Sequence, residues 1–270
     1  MIKTLPKHLD FLCPYQSDLI RIGNSGDGGY LVSAKSIDEV NHLLSIGISD
    51  DWTFEVEIAK ANPAIAIDGY DRTSGTLVFL YYALKELSAV RSIRGLLKCA
   101  RRIRRWISLA ISFKLFWNLQ HRFTRRWVVL DSNSTKEIEL SKVFERIPEN
   151  VNLAIKIDIE GNEYKLGEQI ISEVKRRGSG VCLIIFEFHD TIRLRNEFLE
   201  FVKELTQYLK IVHLHGNNFG QIADDGFPEV VEITFASEAF AFEQKTLDFP
   251  HNLDIPCNPG FPDIAFKFAG

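Results

Sequence analysis

Residues 151–157 (VNLAIKI) are almost continuously apolar, and the run stops on two carboxylates, Asp158 and Glu160, followed by Gly161. Such a run, rich in β-branched side chains and broken mainly by Lys156, suits a parallel strand covered on both faces. Asp158 and Glu160 are two apart, so they share a side if the extended conformation continues. Gly161 permits a sharp turn, and residues 162–176 have helical periodicity. In open α/β sheets, ligands bind outside the carboxyl ends of the strands. Asp158 and Glu160 are therefore taken as the centre of a site. Taken alone, the pair could equally solvate a loop and cap a helix.

Other runs repeat the design. Residues 43–48 (LLSIGI) read as a strand that enters a small-residue turn, with a helix expected over 54–61 and Asp51 or Thr53 as its cap. The Gly-x-Gly-x-x-Gly of dinucleotide sites is missing, since only Gly47 is present. That counts against a cofactor whose pyrophosphate needs close backbone approach. Residues 64–68 (AIAID) form a third strand ending at Asp68, 21 residues after Gly47. An acid at about that distance commonly accepts the two hydroxyls of an adenosine ribose. The plainer reading is a turn aspartate, and Asp71 is the alternative if the register is off. Residues 181–188 lead to Glu187 and His189, and residues 210–216 lead to His213-x-His215-Gly216-Asn217-Asn218. Further strands are expected over 127–130, 230–235 and, at an edge, 264–268, with helices over 76–87, 140–146 and 196–209.

Near the start, Gly23, Gly26, Gly28 and Gly29 fall within seven residues. They suit a hairpin turning at 26–28, or a clasp over a ligand that uses Asp27 and the exposed backbone N–H groups around Gly28. Residues 1–20 read as a short helix or arm.

Charge is unevenly spread. The chain has 32 Lys and Arg against 36 Asp and Glu, but residues 91–126 hold 11 of the basic residues and no acid. Within that segment Ile93, Leu96, Leu97, Ala100, Ile103, Ile107, Ala110 and Ile111 recur at helical spacing. A basic amphipathic helix with Trp106 and Trp117 suits a membrane interface rich in anionic lipid, a lid over an anionic substrate, or a packed insertion with a solvated basic face. Nucleic acid is not expected as a partner, because the rest of the chain is acidic. The four cysteines are scattered without a CxxC pair, the first residues lack the apolar run of a signal peptide, and no stretch offers about 18 uninterrupted apolar residues for a membrane span. The expectation is a cytoplasmic protein of 270 residues, with one domain spanning 1–270, one insertion at 91–126, and peripheral contact with the inner face of the membrane through that insertion.

Asp68, Asp158, Glu160, Glu187, His189, His215, Asn217 and the Gly47 turn all stand at strand ends, so a parallel sheet brings them to one edge. Carboxylates beside imidazoles suit general-base chemistry on a hydroxyl or amine. Asp158, Glu187 and His189 also make a candidate set for a divalent metal such as Mg2+ or Mn2+. A hydrogen-bonded polar rim without metal is the plain alternative.

The run Lys156-Ile157-Asp158-Ile159-Glu160-Gly161-Asn162-Glu163 resembles the Lys-x-Asp-x-Glu-Gly-x-Glu signature of FkbM-type S-adenosylmethionine-dependent methyltransferases. The runs at 213–218, 21–30 and 44–55 are similar to that family as well. The resemblance covers roughly 20–70 and 127–236. It implies an α/β, class I methyltransferase (Rossmann-like) fold with helices on both faces of a seven-stranded, mostly parallel sheet. It implies S-adenosyl-L-methionine as cofactor, with Gly47 and Asp51 near its methionine part, Asp68 near its ribose, and Asp158 beside the sulfonium and the acceptor. Asp27 and Gly28 join this cofactor set through the glycine-rich clasp. His189 and His215 are the candidate bases, with Glu160 to orient one of them. The implied acceptor is a hydroxyl of a sugar, a glycan precursor or a related metabolite. The first loop departs from many methyltransferases: it lacks Gly-x-Gly, and Ser45 stands where they often have an acid. A nicotinamide-dependent oxidoreductase and a non-catalytic membrane- or glycan-binding module on the same core are the rival readings.

Overall fold

The computed structural model describes residues 3–88, 93–117, 121–243 and 248–269. In chain order, a short strand β1 (Lys3–Thr4) precedes a 3-10 turn, then a hairpin of β2 (Leu19–Gly23) and β3 (Gly29–Ser33). Next come α1 (Ala34–Glu39), β4 (His42–Ile46), α2 (Thr53–Ala61), β5 (Ala66–Tyr70), α3 (Thr76–Ser88), α4 (Ile93–Trp117) and β6 (Arg122–Thr124). β7 (Trp127–Val129), β8 (Glu137–Glu139), α5 (Leu140–Phe144), β9 (Leu153–Ile157), α6 (Glu163–Arg177) and β10 (Val181–Phe188) follow. The chain closes with α7 (Arg195–Leu205), β11 (Lys210–Gly216), β12 (Val231–Ala236), β13 (Asp248–Phe249) and β14 (Phe266–Lys267).

The main sheet has the order β11-β12-β10-β9-β4-β5-β6. Its pairs are parallel from β10 through β9, β4 and β5 to β6, while β12 runs antiparallel to both β10 and β11. This is the seven-stranded, mostly parallel sheet of the class I methyltransferase fold. Alternation along the strands divides the core in two. Leu44, Ile155, Ile157, Ile184 and Phe186 face α5, α6 and α7. Leu43, Ala154, Leu183 and Ile185 face the hairpin, α2 and the α3–α4 pair. β9 is buried at every position, which its near-continuous apolar sequence demands.

The α3–α4 pair is docked through aromatic rings. Phe79 stacks on Trp52 and Trp106, and Phe113 meets Trp52 edge-on at 5.2 Å between centroids. Trp117 is buried against Phe113 and Phe123. No described helix is long and apolar enough to cross a membrane.

Several elements differ from the sequence expectation. β5 does not stop at Asp68 but continues to Tyr70, because Gly69 and Tyr70 keep pairing with Ser45 and Ile46. The sheet's edge is β6, inside the basic segment, while residues 127–129 leave the main sheet to pair with β8. Helix α4 runs on to Trp117 and delivers the chain to that edge, so the basic segment is partly built into the sheet. The expected edge strand at 264–268 shortens to β14, in a separate sheet with β1 and β13. The glycine-rich segment is a hairpin, as one of its two readings held. Its loop is clamped from within by Arg21, which donates to the carbonyls of Asn24 and Gly26.

Candidate active site

A cavity of about 590 Å³ opens at the carboxyl ends of β4, β5 and β9. Its floor is the loop after β4. Gly47 has φ +83°, and a Cβ there would meet the main-chain oxygen of Asp158. Only glycine lets the ends of β4 and β9 approach this closely. The Asp158 N–H donates to the Ile46 carbonyl, and the Gly47 N–H donates to the Tyr70 carbonyl.

Asp71, just beyond β5, fastens the same loop. One of its oxygens accepts the backbone N–H of Ile48 (2.8 Å) and of Ser49 (2.7 Å). The other accepts from the backbone and side chain of Thr73 and from the Ser74 N–H. Burial works to raise its pKa, but these bonds outweigh it and hold the carboxyl below its usual range. The cavity's other wall is apolar, with Ile48, Trp127, Val128 and Leu130.

Beneath the loop lies a buried pair. Lys156 donates to the Gly47 carbonyl at 3.0 Å and faces Glu55, which accepts from the Ser45 hydroxyl. Burial disfavours the Lys156 charge, yet Glu55, Asp158 and Glu187 more than compensate and raise its pKa.

The ends of β9 and β10 meet in a dense set of carboxylates. Burial pushes Asp158 up to about 6, with Lys156 and His189 pulling the other way and Glu160 and Glu163 adding to the rise. Glu187 is raised by burial and by Asp158 and Glu232; the Asn217 amide (2.8 Å) and the Tyr30 hydroxyl (3.3 Å) donate to its oxygens. His189 stands among them. Nδ1 is 3.1 Å from Glu163, and Nε2 is 3.4 Å from Glu160 and 3.8 Å from Glu187. Burial alone would lower its pKa, but the Glu163 bond and the surrounding negative charge push it up to about 9. At neutral pH His189 is a cation.

Among the described residues, three that are not glycine have positive φ: Ser49 (+53°), Glu160 (+56°) and Asp190 (+56°). They follow β4, β9 and β10 in turn. Strain of this kind collects at functional sites, where the fold holds residues against local preference.

The sequence candidates fall into groups. Gly47, Asp158 and Glu160 line the cavity. The N-cap of α2 is Trp52 and not Asp51 or Thr53; Asp51, just before it, accepts the Thr53 N–H, accepts from Asn24, and lies beside Gly28. Asp27, on the hairpin loop, reaches the Asn217 amide; burial and Glu232 raise its pKa against that bond. Asp68 lies outside the cavity lining. It is buried in mid-strand, paired with His42 (2.9 Å) and with the Arg122 guanidinium through both oxygens. Asp71 stands at the strand end in its place. His215 keeps neither nitrogen free, with Nδ1 2.9 Å from Glu232 and Nε2 3.0 Å from Asp263. Burial opposes its charge, but the bonds to Asp263, Cys257 and Glu232 raise its pKa and hold it protonated.

The expected metal set is regrouped. Asp158, Glu160 and His189 each bring a ligand atom within 4.8 Å of the others, and Asp27, Glu187 and Glu232 do the same beside them. Glu187 is thereby exchanged for Glu160.

No family model matches the chain, and no curated protein matches it. Among solved structures, it is similar to a spermidine synthase from Thermotoga maritima (11% identity, TM-score 0.43, 84% of this chain and 72% of that one). It is also similar to a precorrin-6y C5,15-methyltransferase from Geobacter metallireducens (14%, 0.37, 76% and 87%). A third is the fibrillarin pre-rRNA processing protein of Methanococcus jannaschii (14%, 0.37, 83% and 84%). Likeness this slight says nothing of chemistry, which follows from the side chains themselves.

Proposed function

We propose that this chain is an S-adenosylmethionine-dependent methyltransferase acting on a hydroxyl of a sugar, a glycan precursor or a related metabolite. The observation that carries this reading is the braced cavity, walled by apolar side chains on one side and bordered on the other by Asp158, whose pKa lies near 6.

The residues present fit the cofactor. The cavity's volume is in the range of small-molecule sites, roughly 300–1,000 Å³. Gly47 leaves the backbone bare where a side chain would intrude. Ile48, Trp127 and Leu130 suit the faces of a purine, Asp71 braces the loop on the ribose side, and Glu160 suits an ammonium group. The cofactor supplies a methyl group already activated on a sulfonium.

The chain's own residues then align and deprotonate the acceptor. Asp158, ionised at neutral pH, accepts the hydroxyl proton. His189 and Lys156 favour its ionised form. His189 is a cation in this setting, so it orients and stabilises charge instead of acting as the base. Asp27 and Glu187, joined through the Asn217 amide beyond the end of β10, are not among the residues that line the cavity.

A second reading adds a divalent cation, favoured by the set of Asp158, Glu160 and His189, the ion displacing the proton that His189 otherwise carries. Such donors suit Mg2+ or Mn2+, and the ion would lower the pKa of an acceptor hydroxyl.

The test is calorimetric titration with S-adenosylmethionine and S-adenosylhomocysteine, with and without Mg2+ or Mn2+. Binding of both is expected. A change on adding metal supports the second reading, and no change removes it. Failure of both to bind in every condition, or tight binding of NAD in their place, would overturn the proposal.

A further inference from the structure

Helix α3 has two apolar sides. Phe79 and Ala83 are buried, and Tyr82 packs on Trp106 of α4 at 4.9 Å. At 100° per residue, positions 77, 80, 81, 84 and 87 fall in one sector on the opposite side. All are large and apolar, and all are exposed: Leu77 75%, Leu84 65%, Tyr81 61%, Leu87 58% and Leu80 39%. A surface helix ordinarily turns charged and polar residues outward. Single exposed leucines need no explanation, but a continuous stripe of this size marks a contact surface.

The chemistry beside the stripe indicates what covers it. Contacts of Phe79 with Phe113 and of Glu86 with Cys99 and Arg102 show that α4 runs antiparallel to α3. The first half of α4 exposes Lys98, Arg101, Arg102, Arg104 and Arg105. No acid occurs anywhere in residues 91–126. A leucine and tyrosine stripe flanked by arginines and lysines is what the surface of an anionic bilayer accepts: side chains enter the acyl boundary and cations meet the headgroups. No described helix is able to span the membrane, so the contact lies in its plane. A second copy is the other apolar occupant to consider. A two-fold interface through this face would set the same basic side chains against each other, and their repulsion opposes it.

We infer that the outer face of α3, with the basic half of α4, docks this protein on a membrane surface carrying anionic lipid. Arg105 also bonds Asp50 at 2.5 Å. Asp50 directly follows Ser49, which lines the cavity. The docked pair is therefore tied to the loop that forms the candidate site.

The test is flotation of the full chain with vesicles of phosphatidylcholine alone or of phosphatidylcholine mixed with phosphatidylglycerol. Binding is expected only to the mixed vesicles, and it should weaken as salt rises. Leu77→Glu with Leu84→Glu, and separately Arg101→Glu with Arg104→Glu, should each reduce binding at least about tenfold, from lost insertion or lost headgroup attraction. Both pairs are exposed, and unchanged thermal melts would show that the variants fold. Failure to float with the mixed vesicles at low salt would overturn the inference, as would wild-type binding by either folded variant. A wild-type dimer that the leucine variant dissociates would assign the face to a second copy.

Discussion

A methyl group added at Gly47 would come within 1.6 Å of the main-chain oxygen of Asp158, because the ends of β4 and β9 touch there. The φ of +83° adds strain for any other residue. Gly47→Ala must push the two strand ends apart, at a cost of about 2–3 kcal/mol. It should lower the melting temperature and abolish S-adenosylhomocysteine binding in calorimetry. Wild-type affinity in this variant would exclude the cavity as the cofactor site.

Asp158→Asn separates chemistry from stability. In the fold Asp158 keeps its proton up to about pH 6, against 3.8 for the ordinary group. Between those values the native state binds more protons than the unfolded chain, so stability falls as pH rises. Removing the buried charge should leave the melting temperature at pH 7 unchanged or higher, by the equivalent of about 1–3 kcal/mol. Turnover should drop at least about a hundredfold. A variant that is both stable and active would free Asp158 from the reaction.

The rate should depend on pH at both ends. Below about 6 Asp158 takes up a proton and activity falls. His189 holds its proton to about 9, against an ordinary 6.5. Its contribution to stability is complete below 6.5 and is lost as pH rises through 9. His189→Ala should move the acidic limb to higher pH, because a cation that favours ionised Asp158 is gone. An acidic limb that does not move would detach the histidine from Asp158.

Asp68 and Asp71 make a paired comparison. Asp68→Asn weakens a buried pairing with His42 and Arg122 and should cost about 2–3 kcal/mol, with cofactor affinity unchanged. Asp71→Asn gives up the charge that holds the N–H groups of Ile48 and Ser49, and it should weaken S-adenosylhomocysteine binding at least about tenfold. The reverse result would return the ribose side to Asp68.

That pair also shows how far the sequence carries. The apolar runs at 43–48, 151–157 and 181–188 were readable as parallel strands because burial on both faces leaves no polar alternation. Their carboxylate-bearing ends followed from the same pattern. Asp68 misled because a reading that ends a strand at its first acid cannot see Gly69 and Tyr70 keep pairing with β4. Arg122-Phe123-Thr124 carries too little apolar sequence to announce an edge strand. The sequence offers His189 and His215 as bases and not as cations, since Glu163 and Glu187 reach His189, and Asp263 reaches His215, only once the strands align. Glu55 closes the 44–55 run, but its meeting with Ser45 and Lys156 depends on how α2 packs over the loop.

The β4–β9 pair at the centre of the sheet joins residues 42–46 to residues 153–157, with the whole α3–α4 pair and the β7–β8 ribbon between them. A chain growing from its amino terminus makes β4 and β5 long before β9 exists. Until then β4 holds an apolar edge with no neighbour on the β9 side, the kind of edge that recruits other chains. Completion of the sheet awaits a distant segment, and such closure is slow. Nascent chains that stall before Leu153 should therefore aggregate, while those released after Ala236 carry every strand needed to seal the sheet.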